Sequence, residues 1–275
     1  MSARLRDRDR FVVAPDTPFA LADRDPADTR GAPGDKKATE KALEDLSEEL
    51  LGLQDRLYAE SARALLVVLQ AIDAGGKDGT VKHVFSGTNP QGVRVTSFKA
   101  PTPEELAHDF LWRVHHAVPP HGYIGIFNRS HYEDVLVARV RELVPESVWR
   151  SRYRHINHFE ELLASDGRTA IVKLFLHISR EEQAERLRTR LEDPTKRWKF
   201  RRGDLAERAR WDEYMAAYEE AIARTSTEDA PWYVVPADHK WYRNWAVSRI
   251  VIETLEDMDP RYPAPAEDLD GVTIA

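Results

Sequence analysis

From Ala64 onward, short continuous apolar runs alternate with amphipathic stretches. The runs LLVVLQAI (65–72), VRVTSF (93–98), YIGIF (123–127), AIVKLFLHI (170–178) and WYVV (232–235) predict five strands. The first is apolar almost throughout, as suits a strand buried on both faces. Spacings of three and four between the runs predict helices. Two of these carry a start signal. Thr102-Pro103-Glu104-Glu105 and Ser179-Arg180-Glu181-Glu182 read as capping boxes, the first with Pro at the opening helical position. They predict helices running to about Val118 and about Leu191. Further helices are predicted near Tyr132–Val140, Val148–Ala164, Leu205–Ala223 and Trp241–Leu255. The Leu205–Ala223 helix carries Trp211, Tyr214, Met215, Tyr218 and Ile222 on one stripe. Strands alternating with helices predict an α/β fold: a parallel five-stranded sheet with helices on both faces.

The two ends break this alternation. Residues 1–34 contain the Pro, Gly and Asp clusters APDTP, DRDPADT and GAPG and read as irregular. Leu43, Leu46, Leu50, Leu53 and Leu57 then predict an arm helix over Lys36–Tyr58. Residues 257–275 read as a polar, Pro-rich tail. The expected organisation is an N-terminal arm and helix over 1–60, a core over 61–257 with a lid at about 183–210, and a tail over 258–275. Ligands of such sheets sit at the carboxyl ends of the strands, which directs attention to the turns after residues 72, 98, 127, 178 and 235.

Composition narrows the chemistry. The 275-residue chain has no cysteine, which excludes disulfide scaffolds, zinc–thiolate sites, iron–sulfur clusters and cysteine nucleophiles. No run approaches the ~18 apolar residues of a membrane span. The charged start MSARLRDRDR lacks an apolar stretch, so no secretory signal is expected and the cytoplasm is the expected compartment. A net charge of −7 argues against nucleic acid and against an anionic membrane as partners.

The strongest local signal is Asp73-Ala74-Gly75-Gly76-Lys77-Asp78-Gly79-Thr80, between a strand and a helix. Gly-Gly lets the backbone turn tightly so that successive N–H groups face an anion. The helix N-terminus adds partial positive charge, and Lys77 adds a mobile whole one. The stretch resembles a phosphate-binding P-loop with two departures from G-x-x-x-x-G-K-[ST]: Ala71 replaces the first Gly, and Asp78 replaces the Ser/Thr. Without that hydroxyl a carboxylate must take the metal, and Asp73 and Asp78 are at hand. The plainer alternative is an ordinary strand–helix turn with a surface lysine.

At the end of the third strand stand Asn128 and Arg129, followed by Glu133 and Asp134. They are candidates for the metal and phosphate side of the same site; the alternative is that Asn128 caps the next helix. Residues 186–210 carry ten Lys/Arg against four Asp/Glu inside an acidic protein. Arg186 and Arg190 share a helix face. Asp193-Pro194 ends that helix, and Lys196, Arg197, Lys199, Arg201 and Arg202 follow in a hinge-like loop. This is the pattern of a lid that closes cations over phosphates, weighed against a merely solvated face. Lys82, His83, Lys99, Arg150, Arg152 and Arg154 are candidates to extend the basic surface. Asp238 is expected to cap the last helix, with His239 and Lys240 beside it.

Taken together, LQAIDAGGKDGTVKHVFSGTNPQGV, SFKAPTPEELAHDFLWR, GIFNRSHYEDVLVARV, LEDPTKRWKF and VVPADHKWYRN resemble the polyphosphate kinase type 2 family, the polyphosphate:nucleotide phosphotransferases. The likeness runs from about Leu65 to Leu255. It implies a P-loop kinase-like three-layer sandwich with a helical lid, related in architecture to thymidylate kinases. It implies Mg²⁺-dependent transfer of a terminal phosphoryl group between inorganic polyphosphate and adenine nucleotides, with guanine nucleotides a second candidate. By motif position Asp73, Lys77, Asn128, Arg129 and either Arg186 or Arg190 are implied as catalytic. Gly75, Gly76, Lys77, Asp78, Gly79, Thr80, Lys82, His83 and Lys199 are implied as phosphate-binding, and Asp73, Asn128 and Glu133 as metal ligands. Many members have Asp where Asn128 stands; Asn is similar to the subgroup that accepts both nucleoside mono- and diphosphates, taking AMP to ADP and ADP to ATP. A homo-oligomer is implied by the same resemblance. Polyphosphate repeats its charge along the chain, so a long basic track suits it better than ATP. The rival expectations are an ATP-dependent nucleotide kinase on the same core and a non-catalytic nucleotide- or polyphosphate-binding module, both separable by the identity of the phosphate donor.

Overall fold

The structure is a computed structural model that describes residues 6–269 and 272–274. Part of the charged N-terminal stretch and of the tail lies outside the described residues. Among those residues a 3₁₀ turn over Asp7–Arg10 precedes the short strand β1 (Val12–Val13), and helix α1 (Lys36–Glu60), strand β2 (Ala64–Gln70), helix α2 (Lys77–Val84) and strand β3 (Val93–Ser97) follow. Helices α3 (Pro103–Leu106) and α4 (Trp112–His115), strand β4 (Ile124–Asn128), and helices α5 (Val137–Val140) and α6 (Glu146–Ala164) follow. The chain then forms β5 (Thr169–His177), α7 (Arg180–Glu192), α8 (Gly203–Ala209), α9 (Trp211–Thr225), β6 (Trp232–Pro236) and α10 (Lys240–Met258).

The strands form one sheet in the order β1-β6-β5-β2-β4-β3. The five strands expected from the apolar runs are parallel to one another. The sheet departs from five strands by gaining β1, which pairs antiparallel with β6 through Val12 opposite Tyr233 and Val13 opposite Trp232. The arm read as irregular is therefore partly built into the fold. Val234 N–H donates to the Phe11 carbonyl at 2.8 Å, and Glu253 of α10 accepts from the backbone N–H groups of Asp7 and Arg8. A two-residue strand has no period for a pattern to reveal.

β2 is buried along its whole length between β4 and β5, matching its apolar sequence. One helical layer holds α1 and α2 against α10; the other holds α5 and α9 against α6. α1 buries Leu46, Leu50, Leu53 and Leu57 from the predicted leucine stripe.

Three expected helices are interrupted. The stretch from Thr102 opens with the full capping box, but Asp109 accepts from the Leu111 N–H at 2.9 Å and restarts the chain as α4. Such side-chain bonds compete with helix continuation. After β4, Ser130 accepts from the Tyr132 N–H, so His131–Asp134 is a 3₁₀ turn and α5 starts only at Val137. The helix expected over Leu205–Ala223 breaks at Arg210 (ψ 23°), leaving α8 on the surface while α9 buries Trp211, Tyr214, Tyr218 and Ile222. At α7 half of the capping box forms: Ser179 Oγ accepts from the Glu182 N–H, while the Glu182 carboxylate turns to Arg186 at 2.7 Å.

Candidate functional site

The chain leaves β2 beside β5, where the connections diverge, from β2 toward β3 and from β5 toward β6. That is where open α/β sheets take their ligands. The turn after β2 is closed by Gly75 N–H on the Ile72 carbonyl at 2.9 Å. Ala74 (φ 63°) and Gly76 (φ 107°) both lie in the left-handed region. A side chain at Gly75 would stand 2.5 Å from the Ala71 Cβ, so the turn requires glycine there. Gly76 occupies the N-cap of α2 and no side chain caps the helix. Its first N–H groups and its positive end are therefore available to an anion.

Lys77 opens α2 and is buried, not mobile as its place in a turn suggested. Its Nζ donates to the Ala71 carbonyl at 2.6 Å. Burial, and next the nearby Arg129, push it down to about 8, although Asp73, Glu133 and Asp78 work the other way.

Asn128 ends β4 opposite Leu69 of β2, which brings the second motif beside the first. Its Nδ2 donates to Asp78 Oδ1 at 2.8 Å, so it joins the two motifs and does not cap a helix. That bond, against the cost of burial, holds Asp78 below the usual carboxylate range, helped by Lys199, Lys77 and Arg190. Arg129 (φ 62°) turns out of the strand with its guanidinium between two carboxylates, 2.9 Å from Asp73 Oδ1 and 3.9 Å from Glu133 Oε2. Burial opposes the Arg129 charge, but Glu133 and Asp73 raise it on balance. Burial raises Glu133, with Arg129 and Lys77 pulling back. A pocket beside this trio is lined by Ile72, Asp73, Arg129, Glu133, Tyr214 and Tyr218 among others.

The basic segment divides in two. Arg186 lies under the loop: it is 8% exposed, and its guanidinium donates to the carbonyls of Ala74, Gly75, Ala237 and Asp238. Gln183, one turn earlier, donates to the Asp73 carbonyl at 2.9 Å. α7 thus clamps the backbone of the loop from behind. Arg190 and Lys199 face the mouth instead, Arg190 Nη1 at 3.9 Å from Asp204 and Lys199 Nζ at 3.7 Å from Asp78 Oδ2. Next to Lys199, Trp198 is 76% exposed.

Other candidates stand elsewhere. Thr80 is fully buried with its hydroxyl on the Gly76 carbonyl, and Lys82 and His83 are exposed on the last turn of α2. Arg150 pairs with Glu146 and Glu220, and Arg152 with Asp134, so neither adds free charge to a basic surface. Asp238 does not cap α10, whose N-cap is His239; its Oδ1 accepts from the Ser179 N–H at 2.8 Å and ties together the ends of β5 and β6. Gln183 and Arg243 were missed by sequence reading. Both follow strand carboxyl ends, but a neutral amide and an arginine in the first turn of a helix carry no local signal.

Among the described residues no group of three His, Asp or Glu is gathered around one point. Of the carboxylates at the site, Asp78 is held by Asn128 and faces Lys199, and Asp73 and Glu133 stand one on each side of Arg129. Mg²⁺ takes hard oxygen ligands and is commonly held by one or two carboxylates together with substrate phosphates. That donor set fits such an ion, with Asn128 turned so that its Nδ2 faces Asp78.

The family model described as polyphosphate kinase 2 matches residues 34–263. The chain is 57% identical over 265 residues to an AMP/ADP-polyphosphate phosphotransferase of Meiothermus ruber, covering 96% of this chain and 99% of the relative. It is 49% identical over 228 residues to an ADP-polyphosphate phosphotransferase of Rhodopseudomonas palustris, covering 78% of each. The crystal structure of polyphosphate kinase 2 from Arthrobacter aurescens superposes with a TM-score of 0.92 at 45% identity, over 96% of this chain and 94% of that one.

Proposed function

The chain belongs to the polyphosphate kinase 2 family, and from that premise we propose that it moves the terminal phosphoryl group between inorganic polyphosphate and AMP or ADP. The observation that carries this reading is the uncapped, glycine-turned start of α2, with buried Lys77 at its first position and Lys199 at its mouth. A terminal phosphate oxygen of the nucleotide attacks the end phosphorus of the polyphosphate chain. The bond to the penultimate phosphate breaks, and the chain shortens by one. Little covalent work falls to the protein; positioning and charge neutralisation do most of it.

In this reading the N–H groups of Gly76, Lys77, Asp78 and Gly79 cradle the donor phosphates. Lys77 leaves the Ala71 carbonyl to meet them. Arg129, oriented by Asp73 and Glu133, neutralises charge on the transferring group. Lys199 and Arg190 close over the chain as the lid. Asp73 and Glu133, with the Asn128 oxygen, would hold Mg²⁺, which supplies Lewis-acid neutralisation of phosphate oxygens. Adenine nucleotides are the proposed acceptors, in the cytoplasm. No helix among the described residues is long and apolar enough to cross a membrane. A homo-oligomer is part of the proposal, checked by sedimentation equilibrium.

The deciding experiment incubates the full chain with Mg²⁺, polyphosphate and either AMP or ADP, and separates the nucleotides by chromatography. Formation of ADP from AMP and of ATP from ADP supports the proposal. Turnover with ATP as donor and none with polyphosphate overturns it in favour of an ordinary nucleotide kinase.

A further inference from the structure

The first turn of α2 packs against an arginine of α10. Arg243, in the first turn of α10, is 2% exposed. Its Nε and Nη2 donate to the Asn244 amide oxygen at 3.2 and 2.8 Å. It makes no ion pair among the described residues; the charged group acting on it is another arginine, Arg186. A buried guanidinium without a carboxylate is costly, and proteins seldom keep one idle.

Its position is specific. A Cβ on Gly76 would lie 2.1 Å from Arg243 Nη1, and one on Gly79 would lie 3.4 Å from Nη2. Gly76 and Gly79 are three residues apart, so they share one face of the turn. The missing side chain of Gly76 is the berth of the guanidinium, and Gly79 borders it. A side chain at Gly79 would only touch Arg243, so it is Gly76 whose glycine the guanidinium requires. Burial, and then Arg186, draw the Arg243 guanidinium down to about 10, as expected of a site with surplus positive charge and no anion.

We propose that Arg243 is a positioning residue of the phosphate site: a fixed, un-neutralised cation seated against Gly76 and Gly79 that raises the affinity of the α2 N-terminus for the polyphosphate chain, whose charge it awaits. It acts through the first turn of α2 and adds to the helix dipole and to Lys77. The inference rests on the polyphosphate reading above and assigns part of its donor affinity.

The test uses the full-length protein, inorganic tripolyphosphate as probe, and the variants Arg243→Met and Arg243→Lys. Thermal unfolding is followed with and without tripolyphosphate, and KM for polyphosphate and for ADP at several salt concentrations. Met fills similar volume without charge, so the free Arg243→Met protein should melt no lower than the parent, because an uncompensated buried charge is gone. Its gain on adding tripolyphosphate should shrink, with KM for polyphosphate up about tenfold, a shallower salt dependence, and KM for ADP within about twofold. Arg243→Lys should recover most of the gain. If Arg243→Met does not fold, Arg243→Lys alone decides: a tripolyphosphate shift and salt slope close to the parent's are expected, and loss of both overturns the role of the charge. A variant that melts lower but keeps the full shift and KM shows a packing role only and overturns the inference. A parent that gains nothing from tripolyphosphate overturns the phosphate site itself, and the inference with it.

Discussion

Asn128 Nδ2 donates to Asp78 Oδ1 at 2.8 Å, bridging the end of β4 and the first turn of α2. A carboxylate at position 128 would face Asp78 at that distance, where two like charges repel strongly. Asn128→Asp should therefore lower the ratio of kcat/KM for ADP over AMP by about tenfold, since the more highly charged acceptor feels the added charge more. Asn128→Asp combined with Asp78→Asn restores one amide and one carboxylate, and should bring the ratio back to within about threefold of the parent. Steady-state kinetics with both acceptors are the check; an unchanged ratio in the single variant removes Asn128 from acceptor choice.

Lys77 links catalysis to pH-dependent stability. In the folded protein it loses its proton at about 8, against 10.5 for an ordinary lysine. Below about pH 8 it is charged in both states and the cost of burying the charge is fully present. Between the two values the unfolded chain holds the proton and the folded one does not, so stability rises with pH. The rise is on the order of 3 kcal/mol. Urea unfolding between pH 7 and 10.5 should show it in the parent and not in Lys77→Met; parallel curves would refute the burial argument. The same variant should lose about a hundredfold in kcat through removal of a preorganised cation.

Arg186 and Arg190 should separate by the quantity they change. Arg186→Ala strips donors from four carbonyls, those of Ala74, Gly75, Ala237 and Asp238. It should cost on the order of 3 kcal/mol of stability and weaken use of every substrate. Arg190→Ala and Lys199→Ala should leave Tm within about 2 °C, raise KM for polyphosphate several-fold and flatten its salt dependence. Equal loss of Tm in all three would mean that Arg190 and Lys199 are not lid cations.

The core under the site contains a fully buried ion pair, Lys173 Nζ to Glu160 Oε2 at 2.5 Å, with Tyr132 and His131 on the other carboxylate oxygen. Burial works against both charges; Lys173 and His131 nevertheless hold Glu160 below its ordinary value. Lys173→Met leaves the carboxylate stranded and should cost about 3–5 kcal/mol. Lys173→Met with Glu160→Gln should recover at least half of that in urea denaturation. A double variant as unstable as the sum of the two singles would show that the residues act independently.

The sequence by itself determined the alternation of strand and helix, the central burial of β2, and the glycine turn after it. These follow from local rules: period, unbroken apolar runs and backbone freedom are written in neighbouring residues. The second motif was legible as a strand end but not as a partner of Asp78, because that pairing depends on the register of β4 against β2. Strand β1 was invisible for a different reason, since its order comes from the edge of β6 and from Glu253 rather than from any pattern of its own. The division of the basic segment was decided only in space. Arg186 and Arg190 share a helix face in sequence, yet one is drawn under the loop by four carbonyls while the other stays at the mouth. Arg243 depended most on the tertiary structure: a side chain 167 residues from Gly76 reaches it only because α10 packs along α2, and the absent side chain of Gly76 leaves it room.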